Sequence, residues 1–208
     1  MNKKGLLLVF SGPSGVGKGT VLKEYLSRHP HTAFSVSATT RAPREGEIHG
    51  QHYFFLSQKE FDQLVERKGF LEHAQFAGNC YGTPRKAVEE NLEKGIDVVL
   101  EIEVQGALQV KEQCPDAVLV FVMPPSFTEL SRRLSGRGTE DETTVARRLS
   151  NAAREMEAAK RYDYILVNQT VEEAASQLEQ IVCAAKHTAR YLNKFIEEVE
   201  DDAKTCCK

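Results

Sequence analysis

The chain has 208 residues and a formal charge of −3, with 41% hydrophobic and 27% charged residues. This composition is that of a globular domain and not of a disordered chain, and without a basic excess it does not indicate a general nucleic-acid binder. No apolar run reaches the roughly 18 residues of a membrane span, no signal-peptide pattern is present, and the five cysteines lack metal-type spacing. We therefore expect a cytoplasmic protein with reduced thiols and neither a membrane nor a nucleic-acid partner.

Hydrophobic periodicity and capping residues predict strands alternating with helices along the whole chain. In the first half of the chain they predict a strand at Gly5–Ser11, a helix at about Lys18–Ser27, strands at Phe34–Ser37 and Tyr53–Leu56, a helix from Ser57 to about Arg67 and a strand at Phe70–Phe76. A helix with Pro84 at its first position and Gly95 at its end follows, and then strands at Asp97–Ile102 and Ala117–Met123, which are joined by a helix near Gly106–Gln113. The last part has a capping box at Ser126 and Glu129, a helix ending near Arg161, a strand at Tyr164–Val167 and a helix over 171–198.

This alternation indicates an α/β fold with a parallel sheet flanked by helices, in one domain over 1–208. The core is predicted at about 1–34, 96–125 and 160–208. A stretch richer in short strands, about 35–95, is predicted to be an inserted small α+β subdomain. Residues 126–159, which include a polar glycine-containing segment, are predicted to form a helical lid, and the acidic end after Phe195 a frayed tail.

A phosphate-binding loop is predicted directly after the first strand. The segment Gly12-Pro-Ser-Gly-Val-Gly-Lys18 matches G-x-x-x-x-G-K, and it lies between a predicted strand and a predicted helix, which is the context that the motif requires. Its backbone N–H groups and the helix N-terminus form an anion site, and Lys18 adds a full positive charge. The predicted ATP-binding residues of this segment are Gly12, Pro13, Ser14, Gly15, Val16, Gly17, Lys18, Gly19 and Thr20.

The magnesium ligands are less well defined by the motif. Gly19 follows Lys18 where P-loops usually have Ser or Thr, and the first hydroxyl belongs to Thr20. The apolar strand before Glu101 and Glu103 ends in alternating carboxylates and resembles a Walker B strand. Mg²⁺ keeps several waters and takes one or two carboxylates. Thr20 and Glu101 are therefore the candidate Mg²⁺ residues, with direct or water-mediated contact left open.

An acceptor phosphate site is predicted in the inserted stretch. Arg41 and Arg44 are three residues apart among small and hydroxyl side chains. Two guanidinium groups so placed can both donate to one phosphate.

The sequence resembles the guanylate kinase family, and its bacterial members most. The resemblance covers about residues 5–190 and rests on five segments, in order and at matching spacing: GPSGVGKGT, SVSATTRAPREGEIHGQHYFF, FLEHAQFAGNCYGTP, VVLEIEVQGA and LSGRGTEDE. It differs at Cys80, where family patterns often have Tyr, and at Glu101 and Glu103, where Asp-x-Asp is common. The resemblance implies an enzyme that transfers the γ-phosphoryl group of ATP to GMP, and also to dGMP, with GDP as the product from GMP, in purine nucleotide metabolism.

The resemblance also implies roles for individual residues. Glu72 would accept N1–H and the exocyclic amine of guanine, Ser37 and Thr83 would bind its O6 and N7 side, and Glu103 would lie near the base. The GMP phosphate would be held by Arg41, Arg44, Tyr53, Tyr81 and Arg148. The lid arginines over the ATP phosphates would be Arg133, Arg137 and Arg148, and Asn168 would lie at the adenine end. The catalytic charges would be those of Lys18, Arg41, Arg137 and Arg148.

Three other functions share some of these sequence features. A kinase for AMP, CMP or dTMP would share the P-loop but would not need Glu72 together with Ser37 and Thr83. A non-enzymatic scaffold that binds phosphopeptides would typically have a damaged P-loop, and a P-loop switch protein would need an NKxD stretch, which the sequence lacks. Whether the chain is a monomer or a homo-oligomer is left open.

Overall fold

The protein is built around a five-stranded parallel sheet, seen in a computed structural model that describes residues 4–76, 78–136 and 141–206. Its strands are β1 (Leu7–Ser11), β2 (Ala33–Phe34), β7 (Val98–Glu101), β8 (Val118–Met123) and β9 (Tyr164–Val167), in the order β2-β7-β1-β8-β9. β1 is central, and it pairs in parallel with β7 on one side and β8 on the other. All these strands therefore end at the same edge of the sheet, where ligands bind in open α/β folds.

A second, four-stranded sheet of mixed direction follows the first helix. It contains β3 (Ala38–Thr39), β4 (Phe54–Phe55), β5 (Phe70–Phe76) and β6 (Asn79–Pro84), in the order β4-β3-β6-β5. The stacked rings of Phe61 and Phe70, with Ala38, form its small buried core. This sheet occupies the stretch that the sequence predicted to be a separate α+β insert.

Eight helices complete the described structure. They are α1 (Lys18–Arg28), α2 (Gln58–Glu66), α3 (Arg85–Glu93), α4 (Val104–Gln113), α5 (Phe127–Ser135), α6 (Glu142–Glu157), α7 (Val171–Ala185) and α8 (Asn193–Cys206), with a 3-10 turn at Ala158–Arg161. None of the described helices is long and apolar enough to span a membrane.

The main core lies on both faces of the parallel sheet. Leu8 and Phe10 of β1 face a cluster with α1 and α7, whereas Leu7 and Val9 face a cluster with α3 and α4. Successive side chains of a strand point to opposite faces. Both faces are covered by helices, which explains why β1 is a continuous apolar run rather than an alternating one.

Several predicted element boundaries were wrong, for local physical reasons. Pro84 is not the first residue of a helix, because it pairs with Phe70 as the end of β6, a strand that the sequence analysis missed. Glu129 does not complete a capping box, since its carboxylate instead pairs with Arg132 and Arg133. The predicted helix over 171–198 is two helices, α7 and α8, and the tail after Phe195 continues α8 to Cys206.

Asp97, just before β7, connects the amino-terminal side of the sheet to α7. One carboxylate oxygen, Oδ1, accepts the backbone N–H of Leu6 at 2.9 Å, and the other, Oδ2, pairs with the Lys186 ammonium group. The side chain of Asp97 is 15% exposed. One side chain thus satisfies a backbone donor ahead of β1 and holds the end of a helix.

We expect Asp97→Ala to lower the free energy of unfolding by about 1–3 kcal/mol, because the Leu6 N–H loses its acceptor. Asp97→Asn keeps an acceptor and loses only the ion pair, so its cost should be about 0–1 kcal/mol. Urea unfolding of both variants measures the difference. Equal losses would show that the hydrogen bond to Leu6 contributes nothing.

Candidate active site

A glycine-rich loop joins the carboxyl end of β1 to the amino terminus of α1. Gly17, the N-cap of α1, has φ of 94° and ψ of 24°, in the left-handed region that glycine adopts without strain. A Cβ at this position would lie 2.6 Å from Nδ2 of Asn168. The loop from Gly12 to Gly17 thus has the strand–loop–helix geometry that directs N–H groups at an anion.

Lys18 lies at the start of α1 and folds back over the loop. Its Nζ donates to the backbone oxygen of Gly12 at 2.6 Å and more weakly to that of Pro13 at 3.4 Å. This ammonium group therefore has loop carbonyl groups as partners. A terminal phosphate of ATP is a stronger acceptor that the same side chain could take in their place.

Asn168 and Arg133 support the back of this loop. Nδ2 of Asn168, a residue only 4% exposed, donates to the Val16 carbonyl oxygen at 2.7 Å. Arg133 donates to the Asn168 carbonyl oxygen at 3.0 Å, while its Nε pairs with Glu129 at 2.8 Å. Both predicted ATP-site residues are thus next to the P-loop, where they hold its backbone.

A second contact links the loop to α6, the long helix of the predicted lid. Nη2 of Arg148 donates to the hydroxyl oxygen of Ser14 at 2.9 Å. Arg148 thus contacts the P-loop, and its role toward the phosphates stays a prediction. The prediction for Arg137 lies outside the described residues.

A pocket of about 430 Å³ opens between the two sheets. Seven of its lining residues are predicted site residues: Lys18, Ser37, Tyr53, Glu72, Tyr81, Glu101 and Glu103. The other seven were not assigned to a site from the sequence: Phe34, Ser35, His52, Ala74, Gly82, Ile102 and Gly106. Lys18 and Glu72 both line this cavity. An ATP phosphate and a second, base-bearing substrate could therefore meet in it.

Glu72 on β5 is a buried carboxylate at this pocket. It is 6% exposed, and its Oε1 accepts the hydroxyl of Thr83 on β6 at 2.7 Å. Burial raises the pKa of Glu72, while the Thr83 hydroxyl and backbone lower it. A desolvated carboxylate with so few donors is suited to a ligand that brings two donors of its own.

Arg41 is paired within the protein, and its partner was missed in the sequence. Its Nη2 lies 2.8 Å from Oε1 of Glu47, whose other oxygen accepts the Arg44 backbone N–H at 2.7 Å. The hydrogen bond from Arg41, followed by the one from Arg44, lowers the pKa of Glu47 to about 2. The sequence did contain a signal for this pair, because Glu47 lies six positions after Arg41 and three after Arg44.

Aromatic rings complete this end of the site. The Arg41 guanidinium lies 5.5 Å from the ring centre of Tyr53, and the rings of Tyr53 and Tyr81 are 6.2 Å apart, edge to face. Ser37, between β2 and β3, lines the pocket, whereas the Arg44 side chain is exposed and is not among the pocket-lining residues. Arg41, Tyr53 and Tyr81 are thus together, with Arg44 at the margin.

Glu101 is the last residue of β7 and Glu103 lies two residues later, at the edge of the sheet where β1 ends. The Glu101 carboxylate lies over the first turn of α1, 3.7 Å from where a Cβ of Gly19 would be. Burial raises the pKa of Glu101, Lys18 lowers it, and Glu103 raises it. Thr20 is exposed in the same turn.

Glu155 on α6 is a third carboxylate at this edge that the sequence analysis missed. Its Oε2 is buried without a hydrogen-bond partner among the described residues. Burial and Glu103 raise the pKa of Glu155, and Lys18 and the Ser14 backbone lower it. No spacing in the sequence relates Glu155 to the P-loop, because only the packing of α6 brings them together.

Comparison with known proteins agrees with this geometry. The guanylate kinase family model matches residues 4–185. A guanylate kinase of Clostridioides difficile (strain 630) is 50% identical over 201 residues, 96% of this chain and 98% of that protein. One from Desulfitobacterium hafniense (strain Y51) is 52% identical over 182 residues, 88% of this chain and 91% of the relative.

A solved structure is similar over nearly the same length. The crystal structure of guanylate kinase from Anaplasma phagocytophilum has a TM-score of 0.72 and 38% identity, and the match covers 90% of each chain. These findings confirm the predicted fold class and the predicted phosphotransferase that makes GDP from GMP with ATP. The chain belongs to the guanylate kinase family.

Proposed function

We propose that the chain binds the ATP phosphates on the Gly12–Thr20 loop and GMP in the pocket between the two sheets, and that the γ-phosphoryl group passes directly from one to the other. The observation that carries this proposal is the shared cavity, which Lys18 and Glu72 both line. Phosphoryl transfer needs an in-line approach of two anions, so both substrates must be held in one continuous space.

Base recognition falls to Glu72. Guanine presents N1–H and an exocyclic amine side by side, and both can donate to one carboxylate, whereas adenine presents a lone pair at N1. Because Glu72 is buried, a base that lacks these donors leaves the charge unpaired, which is the basis of strong discrimination. Thr83, which already donates to Glu72, and Ser37 would face the O6 and N7 side of the base.

The GMP phosphate would be bound by Arg41, Arg44, Tyr53 and Tyr81. Arg41 already has a partner in Glu47, so the phosphate would share or replace that carboxylate rather than meet an unpaired charge. The exposed Arg44 side chain would have to turn inward for the same purpose. Both steps are consistent with a subdomain, about residues 35–95, that closes over its ligand.

The ATP phosphates would be bound by the loop N–H groups and by Lys18, with Arg133, Arg137 and Arg148 as lid cations from about 126–159. Mg²⁺ bound with ATP would supply charge neutralisation across the phosphates. Glu101 and Glu103 suit its hydrated ion, since they are carboxylates close to Lys18, and Thr20 adds a hydroxyl at the same turn. Within the described residues no cluster of three potential metal ligands exists, so most of its ligands would come from ATP and water.

The chemical step needs no general base from the protein. A phosphate monoester has a second pKa of about 6 and is already largely ionised at neutral pH. What remains is to bring two anions together and to exclude water, which is the task of Lys18, Arg41, Arg137 and Arg148. We place this enzyme in the cytoplasm, as a monomer or homo-oligomer, acting on small nucleotides.

The proposal is tested by measuring ADP release from ATP and Mg²⁺ with GMP, AMP, CMP, UMP or dTMP as acceptor. Wild-type protein should turn over GMP alone. Glu72→Gln should lower kcat/KM for GMP at least about 100-fold, because the amide cannot accept both guanine donors. Glu66→Gln, an exposed change on α2, is the control.

The thermal stability of Glu72→Gln checks independently that this variant is folded. Because burial raises the pKa of Glu72, the ionised carboxylate destabilises the folded protein, and the free energy of unfolding falls as pH rises through the raised pKa. Glu72→Gln should therefore unfold at a temperature equal to or above that of wild type at neutral pH.

In the turnover assay, use of another acceptor by wild type would overturn the proposed substrate. Retained GMP turnover in Glu72→Gln would overturn the assignment of Glu72 as the residue that recognises the base.

Lys18→Met should lower kcat by roughly 100- to 1000-fold, because a charge aimed at the transferring phosphoryl group is lost. GMP binding, measured by calorimetry without ATP, should stay within a few-fold of wild type. Lys23→Met, an exposed change on α1, controls for effects on the helix. A loss of GMP affinity equal to the loss of kcat would contradict the division of roles between the two ends of the pocket.

A further inference from the structure

We propose that Gly106 and Gln109 of α4 are positioning residues for base recognition, fixing where the Glu72 carboxylate stands. This inference rests on the proposed role of Glu72 as the guanine reader. It concerns a helix that contributes only its glycine to the pocket lining. Three independent features of the structure lead to it.

The first feature is the space that Gly106 leaves. A Cβ on this residue would lie 2.5 Å from Oε2 of Glu72, 3.1 Å from its Cδ and 3.3 Å from its Cγ. Gly106 is in the first turn of α4 and its φ is not positive, so the backbone itself does not require glycine. Glycine is a weaker helix former than alanine. The three nearest atoms to such a Cβ all belong to Glu72, so among the described residues it is this side chain that a larger residue would meet first.

The second feature is an irregularity in β5. The pairing of β5 with β6 shifts register between Phe70 and His73, the interval that contains Glu72. Such a shift adds an unpaired residue to one strand and turns the neighbouring side chains. Because the pairing with β6 is irregular here, contacts from outside the sheet are needed to fix the position of the Glu72 carboxylate.

The third feature supplies such contacts. β5 is the edge strand of its sheet. The backbone N–H of His73 donates to Oε1 of Gln109 at 3.2 Å, and Nε2 of Gln109 donates to the His73 carbonyl oxygen at 3.2 Å. One amide side chain thus occupies both backbone groups next to Glu72. It fixes the strand to α4 at the shifted register.

Together these contacts define the position of Glu72 from two sides. Gln109 holds the backbone beside it, and Gly106 lets the carboxylate reach the first turn of α4. Adding one methyl group at Gly106 would require the carboxylate to move by about 1 Å to reach ordinary contact distance. A displacement of that size is large for a pair of hydrogen bonds to one base edge.

We test this with Gly106→Ala in the complete enzyme. The variant should raise KM for GMP roughly 10- to 100-fold, as expected for a 1 Å misplacement, and leave KM for ATP within about twofold. Its thermal stability should change little, because the helix propensity gained with alanine opposes the cost of moving the Glu72 side chain. Glu112→Ala, an exposed change on the same helix, should leave both KM values unchanged. Unchanged KM for GMP in Gly106→Ala would overturn the proposal.

Base selectivity separates a displaced reader from general damage. Inosine monophosphate keeps N1–H but lacks the exocyclic amine, so wild type should bind GMP more tightly than this analogue. In Gly106→Ala the ratio of the two affinities should shrink at least about fivefold, since a displaced carboxylate no longer meets both donors. Equal weakening of both ligands with an unchanged ratio would contradict a positioning role.

Gln109→Ala keeps the proposal testable if Gly106→Ala is poorly folded. Gln109 is only half-buried, so its truncation removes little core volume, yet it frees both backbone groups of His73. The same shrinking ratio of GMP to inosine monophosphate is expected, and an unchanged ratio would overturn the role of Gln109. If wild type itself does not prefer GMP over inosine monophosphate, the proposed role of Glu72 is wrong. If wild type prefers GMP but the variants keep the same ratio, only the positioning role of α4 is wrong.

Discussion

The parallel pairing of β1 with β7 is the constraint on which the rest of this protein depends. Phe10 of β1 is in register with Glu101 of β7, so both strands end together at one edge. The chain leaves β1 into the phosphate loop and leaves β7 through two carboxylates into α4. Because α4 contacts the strand that carries Glu72, the phosphate cradle and the base reader are both fixed relative to the same strand pair.

The charged groups of this site have partners within the protein. Arg41 is paired with Glu47, Lys18 with loop carbonyl groups, and Arg148 with the Ser14 hydroxyl. Under the proposed function, two highly charged nucleotides would take the place of these partners on binding. Glu72 is the exception, since its main partner is one hydroxyl and its pKa is raised by burial. Under the proposed function, this carboxylate is the group that selects the base.

The parts of this structure that sequence predicted best are those fixed by local rules. The strand–loop–helix at Gly12–Lys18 is predicted by its glycines and by the apolar run before them. The four longer strands of the parallel sheet, β1, β7, β8 and β9, are predicted by their continuous runs of apolar residues. What depends on distant partners was missed: Pro84 is held in β6 by its pairing with Phe70, Glu47 is defined by Arg41, and Gly106 is explained only by the carboxylate 2.5 Å from its missing Cβ. The roles of individual site residues came from family resemblance rather than from periodicity.

The central claim is that Glu72 is a desolvated carboxylate that accepts two hydrogen bonds from guanine. The most direct test is a ¹³C NMR titration of its side-chain carboxyl, assigned by the signal lost in Glu72→Gln, with and without GMP. In the empty protein the pKa should lie above the ordinary 4.5, and GMP should lower it, because two donated hydrogen bonds favour the ionised form. A pKa at or below the ordinary value in the empty protein, or one that GMP leaves unchanged, would contradict this account.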